Sequence, residues 1–171
     1  MAQRRRPRGC RQPRHPARSA RSELTAVFVV DTNVLLYAAD ASSEFHAPCA
    51  QLLERTRRQP SPWFLTWGIC YEFLRVSTHP RVYATPWSAP EAWRFIATLL
   101  NSPGASMLTP TPRHTGVLQQ CIDEMPELRG NLAHDLHTAV LMREHGIGRI
   151  VTRDADFHRF GFLQVIDPLR S

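Results

Sequence analysis

The chain has 171 residues, 43% of them apolar, which is enough for one packed domain. It contains no run of about 18 apolar residues, excluding a helical membrane span, and no Lys, all 21 basic residues being Arg, so lysine-based Schiff-base, P-loop and phospho-receiver chemistries are excluded too. The net charge of +6 comes from residues 1–22, which hold eight Arg and no acid, whereas residues 23–171 hold 13 Arg against 15 acids.

Residues 1–23 are rich in Arg, Pro, Gln and Ser, with almost nothing to bury. They read as a disordered tail, serving as a solvated arm, a nucleic-acid arm or a start placed too early, ahead of one domain over 24–171. Val27 to Val30 is a continuous apolar, β-branched run, the pattern of a buried parallel strand. Asp31-Thr32-Asn33 ends it and caps a short helix over 34–39. A second helix is predicted over 44–58, with Pro60 and Pro62 breaking the chain after it. Trp63 to Leu65 is a short strand. Thr66 then caps a helix to Ser77, with Ile69, Phe73 and Val76 on its inner side.

Residues 78–90 read as a loop, 91–100 as a helix, 106–108 as a strand and 113–124 as a helix. Asn131 is the predicted N-cap of a helix over 132–145, which Gly146 stops. Strands follow over 149–152 and 163–166. Alternation of strands and helices predicts an α/β fold with a mostly parallel sheet and no internal repeat. Cys10, Cys49, Cys70 and Cys121 form no C-x-x-C pair. With no apolar core to a leader before Leu24, they suit reduced thiols and a cytoplasmic location.

Four acids fall where chemistry favours them. Asp31 directly follows one predicted strand and Asp154 comes just after another, and parallel strands bring their C-terminal ends to one edge. Asp156 lies two residues on. Glu72 lies mid-helix between the apolar Ile69 and Val76, so it is expected to face the protein, where it needs a cation or a salt bridge to Arg75. Asp135 lies in the first turn of its helix, where the dipole favours an acid. Taken singly, each is also an ordinary capping, turn or ion-paired carboxylate. Brought together they repel, and a divalent cation relieves that repulsion, with oxygen donors suiting Mg²⁺ or Mn²⁺.

Val29-Val30-Asp31-Thr32-Asn33-Val34-Leu35, Glu72 within a helix, Asn131-Leu132-Ala133-His134-Asp135 and Thr152-Arg153-Asp154-Ala155-Asp156-Phe157 stand in this order. Over residues 27–169 the chain resembles PIN-domain proteins, and within them the VapC toxins of bacterial type II toxin–antitoxin pairs. Arg143-Glu144-His145-Gly146 and the ending from Phe160 to Leu169 fit the same group. The resemblance implies a PIN-like, Rossmann-like three-layer fold with helices flanking the sheet. It implies a Mg²⁺- or Mn²⁺-dependent endoribonuclease with Asp31, Glu72, Asp135 and Asp154 as catalytic metal ligands and Asp156 as an auxiliary ligand. Thr152 or Asn33 would orient the attacking water. It also implies an RNA substrate, a homodimer, and a VapB-like antitoxin that inserts a basic side chain into the acid pocket and anchors on Leu35, Leu36, Tyr37 and Leu53.

Two other readings compete. His134-Asp135 is also the signature of helical HD-type metal phosphohydrolases, and a PIN-like scaffold could bind RNA without cutting it. His134 and His137 stand three apart, a weak zinc signal without a second pair; they are expected to be surface or site-edge residues. Trp63, Trp67, Trp87 and Trp93 could stack on bases or pack internally, and the spacing of Trp93 with Ile96, Ala97 and Leu100 predicts packing.

Overall fold

The computed structural model describes residues 27–170, so the expected tail over 1–23 and Cys10 lie outside the described residues. Strand β1 (Phe28–Val30) is followed by α1 (Thr32–Ala39), α2 (His46–Arg58), β2 (Trp63–Thr66), α3 (Trp67–Ser77), α4 (Ala89–Leu100), β3 (Ala105–Leu108), α5 (His114–Asp123), α6 (Leu132–Glu144), β4 (Arg149–Val151), a 3₁₀ turn (Ala155–Arg159) and β5 (Gln164–Ile166). The sheet order is β3-β2-β1-β4-β5, with every pairing parallel. Phe28 stands opposite Trp63, and Val29 opposite both Phe64 and Ile150.

The position of β1 explains its composition. It is the central strand, and all three of its residues are buried, so no polar alternation is tolerated. From β1 the chain winds outward through β2 to β3, then returns to β4 on the other side. The switch point therefore lies between the C-terminal ends of β1 and β4, where ligands bind in open α/β sheets. Helices flank the sheet, α3 packing against α1, α4 and α6, and α5 against α6. This parallel sheet excludes the all-helical HD-type alternative.

Local chemistry sets the boundaries. α1 begins two residues earlier than expected because Asp31 itself caps it, its carboxylate accepting the Thr32 N–H at 2.7 Å. Thr66 caps α3 as predicted, accepting from the Ile69 N–H at 3.1 Å. α4 starts at Ala89 because Ser88 and Glu91 form a capping box with Pro90 in the first turn. Asn131 does not cap α6: its backbone is helical and its side chain makes no capping bond. Gly146 ends α6 at φ +67°, a conformation that other residues adopt at a cost. At Gly104 a Cβ would stand 2.2 Å from the Ser61 carbonyl oxygen, so the turn entering β3 admits no side chain.

Two helical faces differ from expectation. On α3 the buried stripe is Ile69, Cys70, Phe73 and Ser77, and Val76 is only partly buried. On α4 the stripe is Ala92, Ile96 and Leu99, which turns Trp93 outward at 45% exposed. Trp63 is buried, and Trp87 packs edge-on against the stacked rings of Phe73 and Phe95. Leu35 and Leu53 are core residues, and so cannot be the partner anchors expected of them. Cys49, Cys70 and Cys121 are free and buried, as reduced thiols.

Candidate active site

The switch point is built around Asp31, only 7% exposed. The end of β1 holds it from below, its N–H donating to the Val151 carbonyl at 3.0 Å. Its Oδ2 accepts from the Thr152 hydroxyl at 2.6 Å and from Asn33 Nδ2 at 2.6 Å. Asn33 Nδ2 also donates to Thr152 Oγ1 at 2.8 Å, and Asn33 Oδ1 accepts the Arg153 N–H at 3.2 Å. Thr152, fully buried, accepts the Asp154 N–H at 2.9 Å. Thr152 and Asn33 are thus committed to one another, to Asp31 and to the 152–154 backbone. They position the carboxylate; Thr152 Oγ1 has its donor and both lone pairs engaged, while Asn33 Oδ1 keeps one acceptor position.

The other acids surround this point. Asp154 caps the 3₁₀ turn after β4, accepting the Asp156 N–H at 2.9 Å. Asp154 is exposed, while Asp156 and Asp135 are partly buried. Burial pushes the Asp31 carboxyl up to about 6, against the hydrogen bonds from Thr152 and Thr32 and with the charges of Asp154 and Glu72 adding to it. Burial likewise pushes Asp135 up to about 7, and the negative fields of Asp154, Asp31, Asp156 and Glu72 push in the same direction. Five carboxylates predicted from the sequence therefore share one electrostatic field, though they are scattered over 125 residues of chain from Asp31 to Asp156.

Glu72 sits at the rim. It is partly exposed and grips Arg75 in a two-pronged pair, at 2.9 Å to Nε and 2.6 Å to the terminal nitrogen. That bond holds its carboxyl below the usual range despite partial burial. The Arg75 salt bridge foreseen as the plain alternative is what forms. Among the described residues, no three His, Cys, Asp or Glu side chains stand close enough together, as placed, to hold one ion. The donor chemistry nevertheless fits a hard cation: every donor is oxygen, and the two most buried acids are held at raised values partly by the charge of the rest.

A second polar cluster lies behind α6, with no forewarning from the sequence. Glu144, 3% exposed, accepts from the Thr111 hydroxyl at 2.6 Å, from the Thr111 N–H at 3.1 Å, and pairs with His114 Nδ1 at 2.7 Å. The His114 ring meets His137 edge-on with centroids 6.2 Å apart. Burial, then the neighbouring His114 and His134, lower the His137 value below that of a free imidazole. His134 is exposed beside Asp135.

The PIN domain family profile matches residues 28–163. The chain belongs to the PIN domain family. Within the family it falls among the VapC ribonucleases. It is 32% identical to Ribonuclease VapC48 of Mycobacterium tuberculosis over 81% of this chain and 94% of that protein. It is 34% identical to Ribonuclease VapC43 of the same organism over 82% of this chain and 94% of that protein. The same PIN fold is seen in VapBC2 of Rickettsia felis bound to a DNA fragment from its promoter, with a TM-score of 0.57 at 15% identity over 82% of this chain and 98% of that one. FitAcB from Neisseria gonorrhoeae gives a TM-score of 0.57 at 14% identity over 84% of this chain and 99% of that one.

Proposed function

We infer that this PIN-domain chain is the ribonuclease toxin of a toxin–antitoxin pair. It cleaves RNA phosphodiester bonds with Mg²⁺ or Mn²⁺ held by Asp31, Glu72, Asp135 and Asp154, with Asp156 as a further oxygen donor. The observation that carries the reading is Asp31: a buried carboxylate, fixed by three hydrogen bonds at the sheet's switch point, in the field of Asp154 and Glu72. Such a group gains little as a structural element and much as a cation ligand.

When bound, the cation would supply charge relief at the phosphodiester and make water acidic enough to attack at neutral pH. The chain's own residues do the rest. Thr32, Asn33 and Thr152 fix the direction of the Asp31 lone pairs. The 3₁₀ turn holds Asp154 and Asp156 at the rim through the Asp156 N–H bond to Asp154. Asp135 brings a second, partly buried carboxyl from α6. Arg75 holds Glu72 at the edge and must yield it for Glu72 to join the donor set.

The partner in this reading is a VapB-like antitoxin, supported by the VapBC assemblies among the structural neighbours. An Arg guanidinium from such a partner matches paired carboxylates. With Leu35 and Leu53 committed to the core, the anchors left to it on α1 are the partly exposed Leu36 and Tyr37. A homodimer belongs to the same reading.

Asp31→Asn tests the site. The variant keeps the side-chain size, and purified protein should lose at least about 100-fold in Mn²⁺-dependent RNA cleavage with an unchanged circular dichroism spectrum. A folded Asp31→Asn protein with full activity overturns the assignment.

A further inference from the structure

Next to Glu72, α3 carries two aromatic rings that the acid site does not use. Trp67 is 42% exposed and Tyr71 65%. Their centroids lie 6.0 Å apart, with 33° between the ring planes. They stand one helical turn apart, and the exposed Arg75 follows one turn further on, so the three share a row along the helix. The adjacent row, Gly68 and Glu72, faces α6: a Cβ on Gly68 would lie 3.2 Å from His137 Nδ1, and Glu72 feels the charge of His134. Trp67 and Tyr71 each sit one residue before that row. They flank the seam between α3 and α6, from which Glu72 and Asp135 project.

Two adjacent exposed rings at the edge of the acid site can take an occupant, and the surroundings limit what it is. Together they leave on the order of 200 Å² of aromatic surface in water. A stable protein interface needs about 800 Å² per partner. The patch is bounded on one side by the Glu72–Arg75 ion pair, so it does not widen into an apolar face on that side. Two tilted rings beside a cation, continuous with a phosphodiester-cleaving site, match a strand of unpaired nucleobases: every base offers a π-face, and the guanidinium suits the backbone.

We propose that Trp67 and Tyr71 form a stacking shelf for unpaired bases of the RNA strand whose phosphodiester lies at the acid site. The proposal rests on the nuclease reading and sharpens it: the substrate is single-stranded beside the cut, because a duplex hides the base faces that the rings would take. Trp67 and Tyr71 bind substrate, and they take no part in proton transfer or metal binding.

The test uses the full chain carrying Asp31→Asn, which binds without cutting, with an unstructured 12-nucleotide oligoribonucleotide and its duplex as probes. Trp67→Ala and Tyr71→Ala, added singly, should each weaken single-strand binding by about 5- to 100-fold. Trp67→Phe should restore most of the loss. Tryptophan emission of the parent should be quenched on binding, and that quenching should shrink in Trp67→Ala. Duplex affinity should change little. Unchanged single-strand affinity in both alanine variants overturns the shelf while leaving the nuclease reading intact. Loss of a sedimenting dimer in those variants with RNA affinity retained also overturns it, in favour of a second copy as the occupant. A parent that binds no single-stranded RNA at all overturns the nuclease reading and the shelf with it.

Discussion

Asp31 and Asp135 store unfavourable charge in the metal-free protein, and this fixes how its stability responds to pH. Their carboxyls titrate near 6 and 7 when folded and near 3.9 when unfolded. The folded state therefore binds more protons between about pH 4 and pH 7. Stability from these groups is present at the acid end and is lost as pH rises through that window. In chelator the melting temperature should fall from pH 5 to pH 8, and Mn²⁺ should raise it more at pH 8 than at pH 5; a pH-independent metal effect on melting would contradict this. Glu72 gives a second expectation. Arg75 competes for it, so Arg75→Gln should tighten Mn²⁺ binding several-fold by calorimetry while leaving melting unchanged, since an exposed pair contributes little. The identities of these acids were legible in the sequence because Asp31 and Asp154 end strands and Asp135 opens a helix. Glu72 is legible only in part: its row on α3 faces α6, as its apolar neighbours Ile69 and Val76 suggest, but its carboxylate reaches along the helix to the exposed Arg75. The roles of Asn33 and Thr152 had no local signal, since their mutual bond spans 119 residues.

At the scale of elements, α6 is tied at its C-terminal end by Glu144, which reaches Thr111 before α5 and His114 in its first turn. Burial raises the Glu144 carboxyl, but the bonds from His114 and Thr111 outweigh it and leave the net value lowered. Its contribution is therefore present above the ordinary carboxylate range and is lost as pH falls, opposite in sign to Asp31. His114→Ala leaves that buried carboxylate short of a partner and should cost roughly 1–3 kcal/mol in denaturant unfolding, with cleavage retained. A variant as stable as the parent would remove the clasp from the account. The α and β elements were readable because β1 and β4 are short β-branched runs and α1, α3 and α4 carry side-chain caps; α2, α5 and α6 start without one. Helix rotation was less readable. On α4, Ala92 rather than Trp93 faces inward, since the small side chain lets the helix approach the core while the indole would hold it off. The 3₁₀ turn after β4 has no periodic signal, since it spans only five residues and is held by the Asp154 cap on Asp156.

For the molecule as a whole, the positive charge lies in residues 1–22 and the rest carries a slight acid excess. The family match begins at residue 28. Deleting residues 1–22 should leave the melting temperature unchanged and cleavage within a few-fold at about 0.15 M salt, where non-specific attraction to RNA is screened. Loss of sequence-selective cutting in the truncated protein would assign that segment a recognition role. Among the described residues no helix is long and apolar enough to cross a membrane.

The central position of β1 also governs when the acid site can form. Asp31 emerges early in synthesis, but the hydroxyl that fixes it belongs to Thr152, 121 residues later. The strand that completes the site, β4, follows almost everything else in the chain. A polypeptide that ends before β4 therefore carries Asp31, Glu72 and Asp135 without Asp154, Asp156 or the hydroxyl that fixes Asp31. Such non-local closure is slow and comes late in folding. The acid site is therefore completed only when the chain is nearly complete.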